Sequence, residues 1–345
     1  MSALEFYIVT VAIFGCLNGI LALGFNMQFG QAGIVNLAFI VLVAVGAYAT
    51  AIASVQPASG VFGGTGTYIG GFGWVFPWNM LFGVAATLLF GLLLGGAALL
   101  RLRHDYFALC LFAIGVGLQV LVTDYLPLLN GSDGIGGMSA PGQNVLDPSI
   151  FQFVFLGISV VALAFVYFIF ARVSSSPLGR AMKAVRDDEE AAAAVAKNPW
   201  RLKLIAFLLG SLAAGIGGSL QALYVGGWSV QGWGPLENLV LLAAVIVGGR
   251  GRNLGALVGS FIVLEGILEA TRFLPAIGDP GLLPNLQTIA IGLLILGFLW
   301  WRPQGILPEK KERFALPASI GLATASLTRP VPAQAGESER TGKKL

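Results

Sequence analysis

The stretch SSSPLGRAMKAVRDDEEAAAAVAKNP, residues 174–199, lies between two long apolar runs at 150–171 and 204–226. With its flanks, from Arg172 to Lys203, it contains 11 of the 37 charged residues of the chain. Elsewhere the chain is strongly apolar: 56% of its residues are hydrophobic and only 11% are charged, against about 25% charged in an average soluble domain. This composition is typical of a membrane protein. The stretch, which we call the island, is therefore a polar segment between two membrane spans.

Apolar runs long enough to cross a bilayer recur along the whole chain. A helix needs about 20 apolar residues to span the hydrocarbon core. Nine runs are predicted to do so, of which the seventh is short: 7–25, 34–54, 77–100, 106–127, 150–171, 204–226, 236–248, 254–273 and 284–301. The predicted fold class is an all-α integral membrane protein with about nine transmembrane helices.

Lys and Arg residues predict the orientation of these spans, because they accumulate in short cytoplasmic loops. They cluster at 101–103, 172–203 and 250–252, and after 302. With nine spans all these clusters fall on one side, and the intervening loops contain neither residue: 55–76, 128–149, 227–235 and 274–283. The N-terminus is thus predicted outside, and the C-terminus and the island in the cytoplasm.

The chain is predicted to have two parts. Residues 1–313 form the transmembrane domain, which includes the cytoplasmic segment 174–203, and residues 314–345 form a disordered tail because they lack sustained periodicity. The first residues, MSALEF, contain no Lys or Arg, so the run at 7–25 is not expected to be a cleaved signal peptide.

The composition also excludes several classes of binding and catalytic site. Cys16 and Cys110 lie in separate apolar runs and His104 is the single histidine, so no metal site is expected. A net charge of +3 gives no support for a nucleic-acid partner. The sequence contains no glycine-rich phosphate loop that ends in Lys-Ser or Lys-Thr, so ATP hydrolysis is expected from another polypeptide. We predict no catalytic residue, no metal and no cofactor.

The island carries the signals of two short helices. Ser176 can cap the first, with Pro177 at the first helical position. Asp187 is predicted to cap the second, with Glu190 at the capping-box spacing, and Asn198-Pro199 to end it. Two such helices bury too little surface to fold alone, which favours docking on a partner. A solvated connector that merely joins two spans is the alternative.

The segment SPLGRAMKAVRDDEEAAAAVAKNPWRLKLIAF (176–207) resembles the coupling segment of LivM-type permease subunits, which belong to ABC importers of branched-chain amino acids. Four further blocks resemble the same family in the same order: GQAGIVNLAFIVLVAVGAY (30–48), LRLRHDYFAL (100–109), VIVGGRGRNLGALVGS (245–260) and RPQGILP (302–308). The resemblance covers about residues 10–310. It implies import of a branched-chain amino acid, another amino acid, or urea or a short amide.

The resemblance also implies partners. A second related permease subunit would pair with this chain in the bacterial plasma membrane, two cytoplasmic ATPase subunits would hydrolyse ATP, and an extracytoplasmic binding protein would deliver the small solute. Small residues of the island would seat in a groove of an ATPase while charged residues orient it at the rim. The implied coupling residues are Gly179, Arg180, Ala181, Lys183, Ala184, Arg186, Asp187, Asp188, Glu189 and Glu190.

The solute path is expected where backbone and polar side chains interrupt the apolar runs, because irregular backbone at membrane depth needs protein or water beside it. The predicted path residues are Gly30, Gln31, Gly33, Asn36, Tyr106, Phe107 and Glu265. For the first four, an ordinary turn before a helix is the alternative. Asn130, Gly131 and Asp133 are predicted to form the external mouth or to dock the binding protein.

Carboxylates within the spans leave the mechanism open, because an intramembrane ionisable residue is a candidate functional site. For Glu265, a bond across the subunit interface and proton coupling are both possible readings. Glu269 and Arg272 are predicted to form a local ion pair. An ion-gradient-driven secondary transporter is the alternative function, with Glu265 in a proton relay, but it has no need for the two capped helices of the island.

Overall fold

The computed structural model describes residues 2–56, 68, 70–101, 104–143, 145–267, 269, 282–302 and 304–309. The predicted tail, 314–345, and Arg272 lie outside these residues, as does most of the loop 55–76. Within the described part the chain is helical, apart from a two-stranded antiparallel ribbon. The predicted all-α class is confirmed.

The helices follow one another as α1 (Ala3–Asn26), α2 (Phe39–Ser54), α3 (Trp78–Arg101), α4 (His104–Asp124), α5 (Leu126–Leu129), α6 (Pro148–Ser175), α7 (Pro177–Asp187), α8 (Glu189–Ala194), α9 (Pro199–Val225), α10 (Pro235–Gly248), α11 (Asn253–Ser260) and α12 (Leu282–Trp301). Helix α1 continues into a π-helical segment at Met27–Gln31, and α11 into another at Phe261–Ile267. Strands β1 (Ile135–Gly136) and β2 (Gly227–Trp228) form the ribbon.

Six helices of the described residues are long and apolar enough to cross a membrane: Ala3–Gln31, Trp78–Leu99, Tyr106–Asp124, Pro148–Ser175, Pro199–Val225 and Val230–Gly248. Shorter apolar helices cover Phe39–Ser54, Asn253–Ile267 and Leu286–Trp301. Within the described residues, each of the nine predicted runs overlaps one of these helices. The protein is therefore an all-α membrane protein with six helices of spanning length in its described part.

Helices α1, α2 and α9 form the centre of the bundle. Their apolar residues are largely enclosed by protein, whereas α3, α4 and α6 keep much of their apolar surface exposed, as helices that face lipid do. Glycines bring the central helices together, because a Cβ on Gly218 of α9 would overlap the carbonyl of Val43 on α2. Close approach of this kind is how small residues stabilise helix pairs in membranes.

Helix α9 separates two ends of the bundle. Its 27 residues extend about 40 Å at 1.5 Å per residue, from the end of the island to the start of β2. We call the end with α7 and α8 the island end, and the end with β1 and β2 the ribbon end. The positions of the predicted site residues are described by these two ends.

Candidate functional site at the island end

Helix α7 begins as its sequence predicts. The Ser176 hydroxyl accepts a hydrogen bond from the Gly179 backbone N–H at 3.4 Å, and Pro177 occupies the first helical position. Gly179 is required there, because a Cβ would overlap the backbone carbonyls at the end of α6. Met182 and Val185 are buried against the bundle. The helix is thus seated on the membrane domain by one apolar face.

The opposite face of α7 is open. Arg180 and Ala184 are exposed, and Ala181 is half-buried at the border between the two faces. Helix α8 extends this open surface, since its residues are exposed apart from the buried Ala192, and Val195 just beyond it has an exposed fraction of 68%. Small and apolar side chains therefore line an unoccupied surface on the island.

The cap of the second island helix differs from the prediction. Asp188, not Asp187, caps α8, with its carboxylate accepting from the Ala191 N–H at 2.9 Å. Asp187 is the last residue of α7, because Asp188 adopts an extended conformation, and the Asp187 carboxylate accepts from Arg186 Nε at 3.0 Å. The capping box between Asp187 and Glu190 was therefore wrong by one residue.

The Asn-Pro pair also acts differently from the prediction. Helix α8 already ends at Ala194, before Ala196 with a left-handed φ of 59°. Asn198 instead caps α9 by accepting from the Arg201 N–H at 3.1 Å, with Pro199 at the first helical position. The pair is a helix start rather than a helix stop, since Asn and Pro favour these two positions. An ion pair between Lys203 of α9 and Glu189 fastens α8 to the same helix.

Arg186 is the most connected side chain of the island. Its Nη1 donates to the carbonyl oxygen of Gly30 at 2.5 Å and to Glu309 Oε2 at 2.9 Å, in addition to the bond from Nε to Asp187. Burial lowers the pKa of the guanidinium, but hydrogen bonds to Asp187 and Glu309 outweigh it, so that the pKa lies above its ordinary value. Arg186 is a permanent cation that joins α7, the end of α1 and the C-terminal end of the described chain.

Glu309 is the counterpart of Arg186, and sequence reasoning did not single it out. Its second carboxylate oxygen lies 2.7 Å from Lys183 Nζ. The backbone just before it is fixed by hydrogen bonds from Ile306 N to the Val247 carbonyl (2.8 Å) and from Leu307 N to the Gly248 carbonyl (3.0 Å). The RPQGILP block therefore lies along the last turn of α10 and places this carboxylate under α7. Its position directly after that block was the available signal.

The turn between α10 and α11 completes the arrangement. Gln31 donates to the Gly251 carbonyl at 2.7 Å, and the Gly251 N–H donates to Asn26 at 2.9 Å. Gly251 has a φ of 83° and no room for a side chain, because a Cβ would lie 2.7 Å from Glu309 Oε2. We call this set the junction: Gly30, Gln31, Lys183, Arg186, Gly251 and Glu309. Three of the sequence blocks quoted above meet there, together with Glu309, which directly follows a fourth.

The first four predicted path residues divide between two places. Gly30 and Gln31 belong to the junction, and Gly33, with a φ of 72°, lies against the aliphatic part of Arg186. Asn36 is buried elsewhere in a chain of amides. Its Nδ2 donates to Gln28 at 2.9 Å, its Oδ1 accepts from the Ala38 N–H at 2.9 Å, and its carbonyl accepts from Asn238 at 3.3 Å.

These amides connect the irregular backbone at 32–38 with the first turn of α10. Beside them a narrow crevice of about 10 Å³, room for about one water molecule, lies between α2, α4 and the start of α10. Its walls are mainly apolar, including Ile40 and Phe112, and Gln119 of α4 closes one side by donating to the Trp233 carbonyl at 3.0 Å. A small apolar space thus adjoins the interrupted backbone between α1 and α2.

The remaining predicted path residues are not brought together. Phe107 is buried against Phe207, with ring centroids 6.4 Å apart, whereas Tyr106 is exposed on the outside of α4. Glu265 is buried and accepts from Asn18 Nδ2 at 2.8 Å, and Asn18 in turn accepts from Gln221. This carboxylate therefore has a hydrogen-bond donor within its own chain, which weakens the reading that it bonds across a subunit interface.

The predicted docking residues lie at the ribbon end. Asn130 ends α5 in a left-handed conformation, and its side chain donates to the Gly134 carbonyl at 2.8 Å. Gly131 is buried, and Asp133 is exposed on the turn that follows. Glu269 lies close to the N-terminal turns of α1, where it accepts from the Tyr7 hydroxyl at 2.8 Å; its predicted partner Arg272 lies outside the described residues.

The structure is thus a helical membrane bundle with a capped helix pair at one end, part of whose surface is exposed. The family model described as branched-chain amino acid transport system, permease component, matches residues 7–299. The chain therefore belongs to this family of permease components. It is a permease subunit of an ABC importer and a multi-pass protein of the plasma (inner) membrane, and the secondary transporter is not favoured.

Similar proteins agree with this assignment. The chain is 26% identical over 331 residues to the high-affinity branched-chain amino acid transport system permease protein LivM of Escherichia coli. That alignment covers 89% of this chain and 72% of the relative. It is 26% identical to the probable branched-chain amino acid transport permease LivM of Methanocaldococcus jannaschii (84% and 90% covered). It is 25% identical to the permease BraD of Pseudomonas aeruginosa (86% and 94% covered). No solved structure matches the chain.

Proposed function

We propose that this chain carries a branched-chain amino acid, or a small solute of similar chemistry, through the plasma membrane as one of two paired permease subunits. The observation that carries the proposal is the family match over residues 7–299. Three relatives named for branched-chain amino acid transport support it, and each alignment covers more than two thirds of both chains. Two ATPase subunits supply the energy, and an extracytoplasmic binding protein supplies the solute. This chain itself has no catalytic role and needs no cofactor.

The open surface of α7 and α8 is the proposed contact with an ATPase. Ala184 and Val195 present apolar surface there, while Arg180 and Glu190 lie at its edge. An apolar centre with a charged rim is the usual composition of a protein interface. The predicted coupling residues Lys183 and Arg186 have a second task in this proposal, because they connect the docked helix to the junction.

Nine membrane crossings, with the N-terminus outside and the C-terminus inside, are the proposed topology. The support is that three apolar helices, Phe39–Ser54, Asn253–Ile267 and Leu286–Trp301, accompany the six long ones. The four clusters of Lys and Arg then lie on the island side of the membrane, as the positive-inside rule requires, and Arg272 is the one cation near the outer end of a predicted span. The island end faces the cytoplasm in this topology, and the segment 314–345 is a cytoplasmic tail.

Asn36 is the member of the predicted path with the most support. It lies in irregular backbone between α1 and α2, and it is linked to the first turn of α10 beside the apolar crevice. Interrupted helices that face a cavity are where transporters hold solutes at membrane depth. At the other end, the exposed Asp133 is the proposed docking contact for the binding protein, and Asn130 with the buried Gly131 shapes the turn that presents it.

Reconstitution tests this function directly. The chain is incorporated into liposomes with its partner permease and ATPases, and uptake of radiolabelled leucine is compared with uptake of urea and acetamide. We expect uptake that requires ATP, the ATPases and the binding protein, with leucine preferred. Uptake by this chain alone, driven by a proton or sodium gradient, would refute the proposal and restore the secondary transporter.

A further inference from the structure

We propose that Glu309 is a positioning residue that fixes the coupling helix α7 to the end of α10. Movement that an ATPase imposes on α7 then reaches α1 and the turn between α10 and α11 through Arg186. This inference rests on the proposed function, because it assigns a mechanical task within the importer. It concerns a residue outside the five sequence blocks that resemble the family.

The first argument is the geometry of the carboxylate. Lys183 and Arg186 are three residues apart and therefore lie on one face of α7. Glu309 offers one oxygen to each of them, at 2.7 Å and 2.9 Å. A single carboxylate thus holds two points of the helix, which resists rotation as well as displacement of α7.

The second argument is the rigidity of the support behind Glu309. The preceding backbone pairs with the last turn of α10 through Ile306 and Leu307, and Gly305 packs directly on Gly249. The carboxylate is therefore attached to backbone that is hydrogen-bonded to the end of α10. A displacement of α7 is transmitted to α10 because the backbone that carries Glu309 is hydrogen-bonded to the last turn of that helix.

The third argument is the shared guanidinium. The Arg186 Nη1 that binds Glu309 also binds the Gly30 carbonyl at the π-helical end of α1. Bonds to an ionised group are the stronger kind of protein hydrogen bond. The side chains of the ion pair are mostly buried, with exposed fractions of 17% for Arg186 and 23% for Glu309, so bulk salt screens them only in part.

The fourth argument is the absence of free space beside the pair. A Cβ on Gly251 would lie 2.7 Å from Glu309 Oε2 and 3.0 Å from Arg186 Nη1. The turn between α10 and α11 is therefore in direct contact with both charges. Three membrane helices, α1, α10 and α11, meet α7 at one ion pair.

The decisive experiment compares Glu309→Gln with the wild type in the complete importer, with both permeases, the ATPases and the binding protein in liposomes. Glutamine keeps the shape of the side chain and removes its charge. We expect unchanged recovery of the ATPases in the complex, but a fall of about 5-fold or more in solute imported per ATP hydrolysed, the usual lower range for lost coupling between sites. Stimulation of ATP hydrolysis by the loaded binding protein should fall in parallel.

Control variants distinguish a loss of mechanical coupling between α7 and the membrane helices from a loss of protein stability. Lys197→Gln removes an exposed island cation and should leave import per ATP unchanged. Lys183→Gln should lower it, and the double variant with Glu309→Gln should be no worse than Glu309→Gln alone, because the two changes remove one interaction. The proposal is overturned if Glu309→Gln imports as much per ATP as the wild type, or if it loses the ATPases themselves. If the wild type shows no ATP-dependent import, the proposed function fails instead.

Discussion

The two ends of the bundle are built from different interactions. At the island end, charged side chains connect distant parts of the chain: Arg186 is bonded to Gly30, 156 residues earlier, and to Glu309, 123 residues later. At the ribbon end, backbone groups make the connections. The Gly226 carbonyl accepts from both Gly137 and Met138, and Gly134 fits against Trp228 where a Cβ would overlap its carbonyl.

This difference corresponds to two tasks. Charged hydrogen bonds are directional and hold one element at a defined distance from another, which suits an end that must transmit movement. Backbone pairing between short segments satisfies polar groups at the membrane boundary without charge, which suits an end that presents a fixed turn to a partner. In the proposed topology the first end faces the ATPases and the second faces the binding protein.

The largest effect is expected from Arg186→Ala, because this change removes the side chain that connects α7 to Gly30 and Glu309 at the island end. The change leaves Glu309 with Lys183 alone and opens space beside Gly30. Loss of one partner of a mostly buried pair costs about 3–5 kcal/mol, and the remaining Lys183 places the expected cost near the lower end of that range. We expect loss of import and a clearly lower thermal unfolding midpoint in detergent, measured by tryptophan fluorescence. An unchanged midpoint would contradict the description of the junction as a structural centre.

Next in size is Ala184→Trp, which tests the open surface of the island rather than the junction. A bulky residue on an exposed site leaves folding intact but overfills a packed contact, at a cost of about 1–3 kcal/mol or more. We expect the ATPases to be lost from affinity-purified complexes while the unfolding midpoint stays at the wild-type value. Ala181→Trp should act similarly, with some loss of stability because Ala181 is half-buried. Full ATPase binding by both variants would make the island a passive connector.

A smaller and local effect is expected at the ribbon end from Gly134→Ala. The residue has a φ of 70° and faces the Trp228 carbonyl, so alanine introduces both backbone strain and overlap. Strain of this kind costs about 1–3 kcal/mol. We expect weaker binding of the binding protein in a pull-down, with ATPase binding unchanged. The matched control is Gly136→Ala, where a Cβ meets open space. Equal effects of the two changes would contradict the ribbon as a rigid docking support.

The smallest effect is expected from Glu190→Lys on the rim of the island. The side chain is exposed, and since Asp188 caps α8 with Ala191, no capping box is lost. Exposed charges are screened over about 8 Å at physiological salt. We expect less than about a 3-fold change in ATPase affinity, becoming smaller still in 0.5 M salt. A larger loss of ATPase affinity that persists at high salt would indicate that Glu190 lies at the centre of the contact rather than at its rim.

Cysteine labelling checks which end faces which side. With Cys16 and Cys110 replaced, a cysteine at Ser132 should react with an impermeant reagent from outside, and one at Asp188 only after the membrane is opened. Both positions are exposed, whereas the nearby Ala140 is buried and would not serve. Labelling of both from the same side would refute the nine-span topology.

The sequence predicted the helices well, because apolar length is a local property. Within the described residues all nine runs overlap apolar helices, and Ser176-Pro177 begins α7 as expected. Local sequence patterns gave the wrong helix boundary where the same residues can cap or end a helix in two ways. Asp187 and Asp188 are both good caps, and in the structure Asp188 has the extended backbone of a cap while the Asp187 carboxylate binds Arg186. Asn198-Pro199 can end one helix or begin the next.

The site was less predictable, since its contacts join residues far apart in the chain. The glycine-rich block at 30–33 was assigned to a solute path because glycine and glutamine interrupt the apolar sequence. The structure gives these residues other roles: a Cβ on Gly30 would overlap the Gly251 backbone, and Gln31 binds the turn at Gly251. No pattern within the block indicates either contact, and Glu309 carries no local signal except its place after the closing block.

Helix α2 has a consequence for the bilayer itself. It has only 16 residues, all described and none exposed, so it is surrounded by protein rather than lipid. At about 24 Å it would be too short for a hydrocarbon core about 30 Å thick. A lipid-facing helix must match that thickness by tilting or by deforming the membrane. Changes in membrane thickness therefore act on the outer helices α3, α4 and α6, while the backbone beside the crevice is shielded from hydrophobic mismatch.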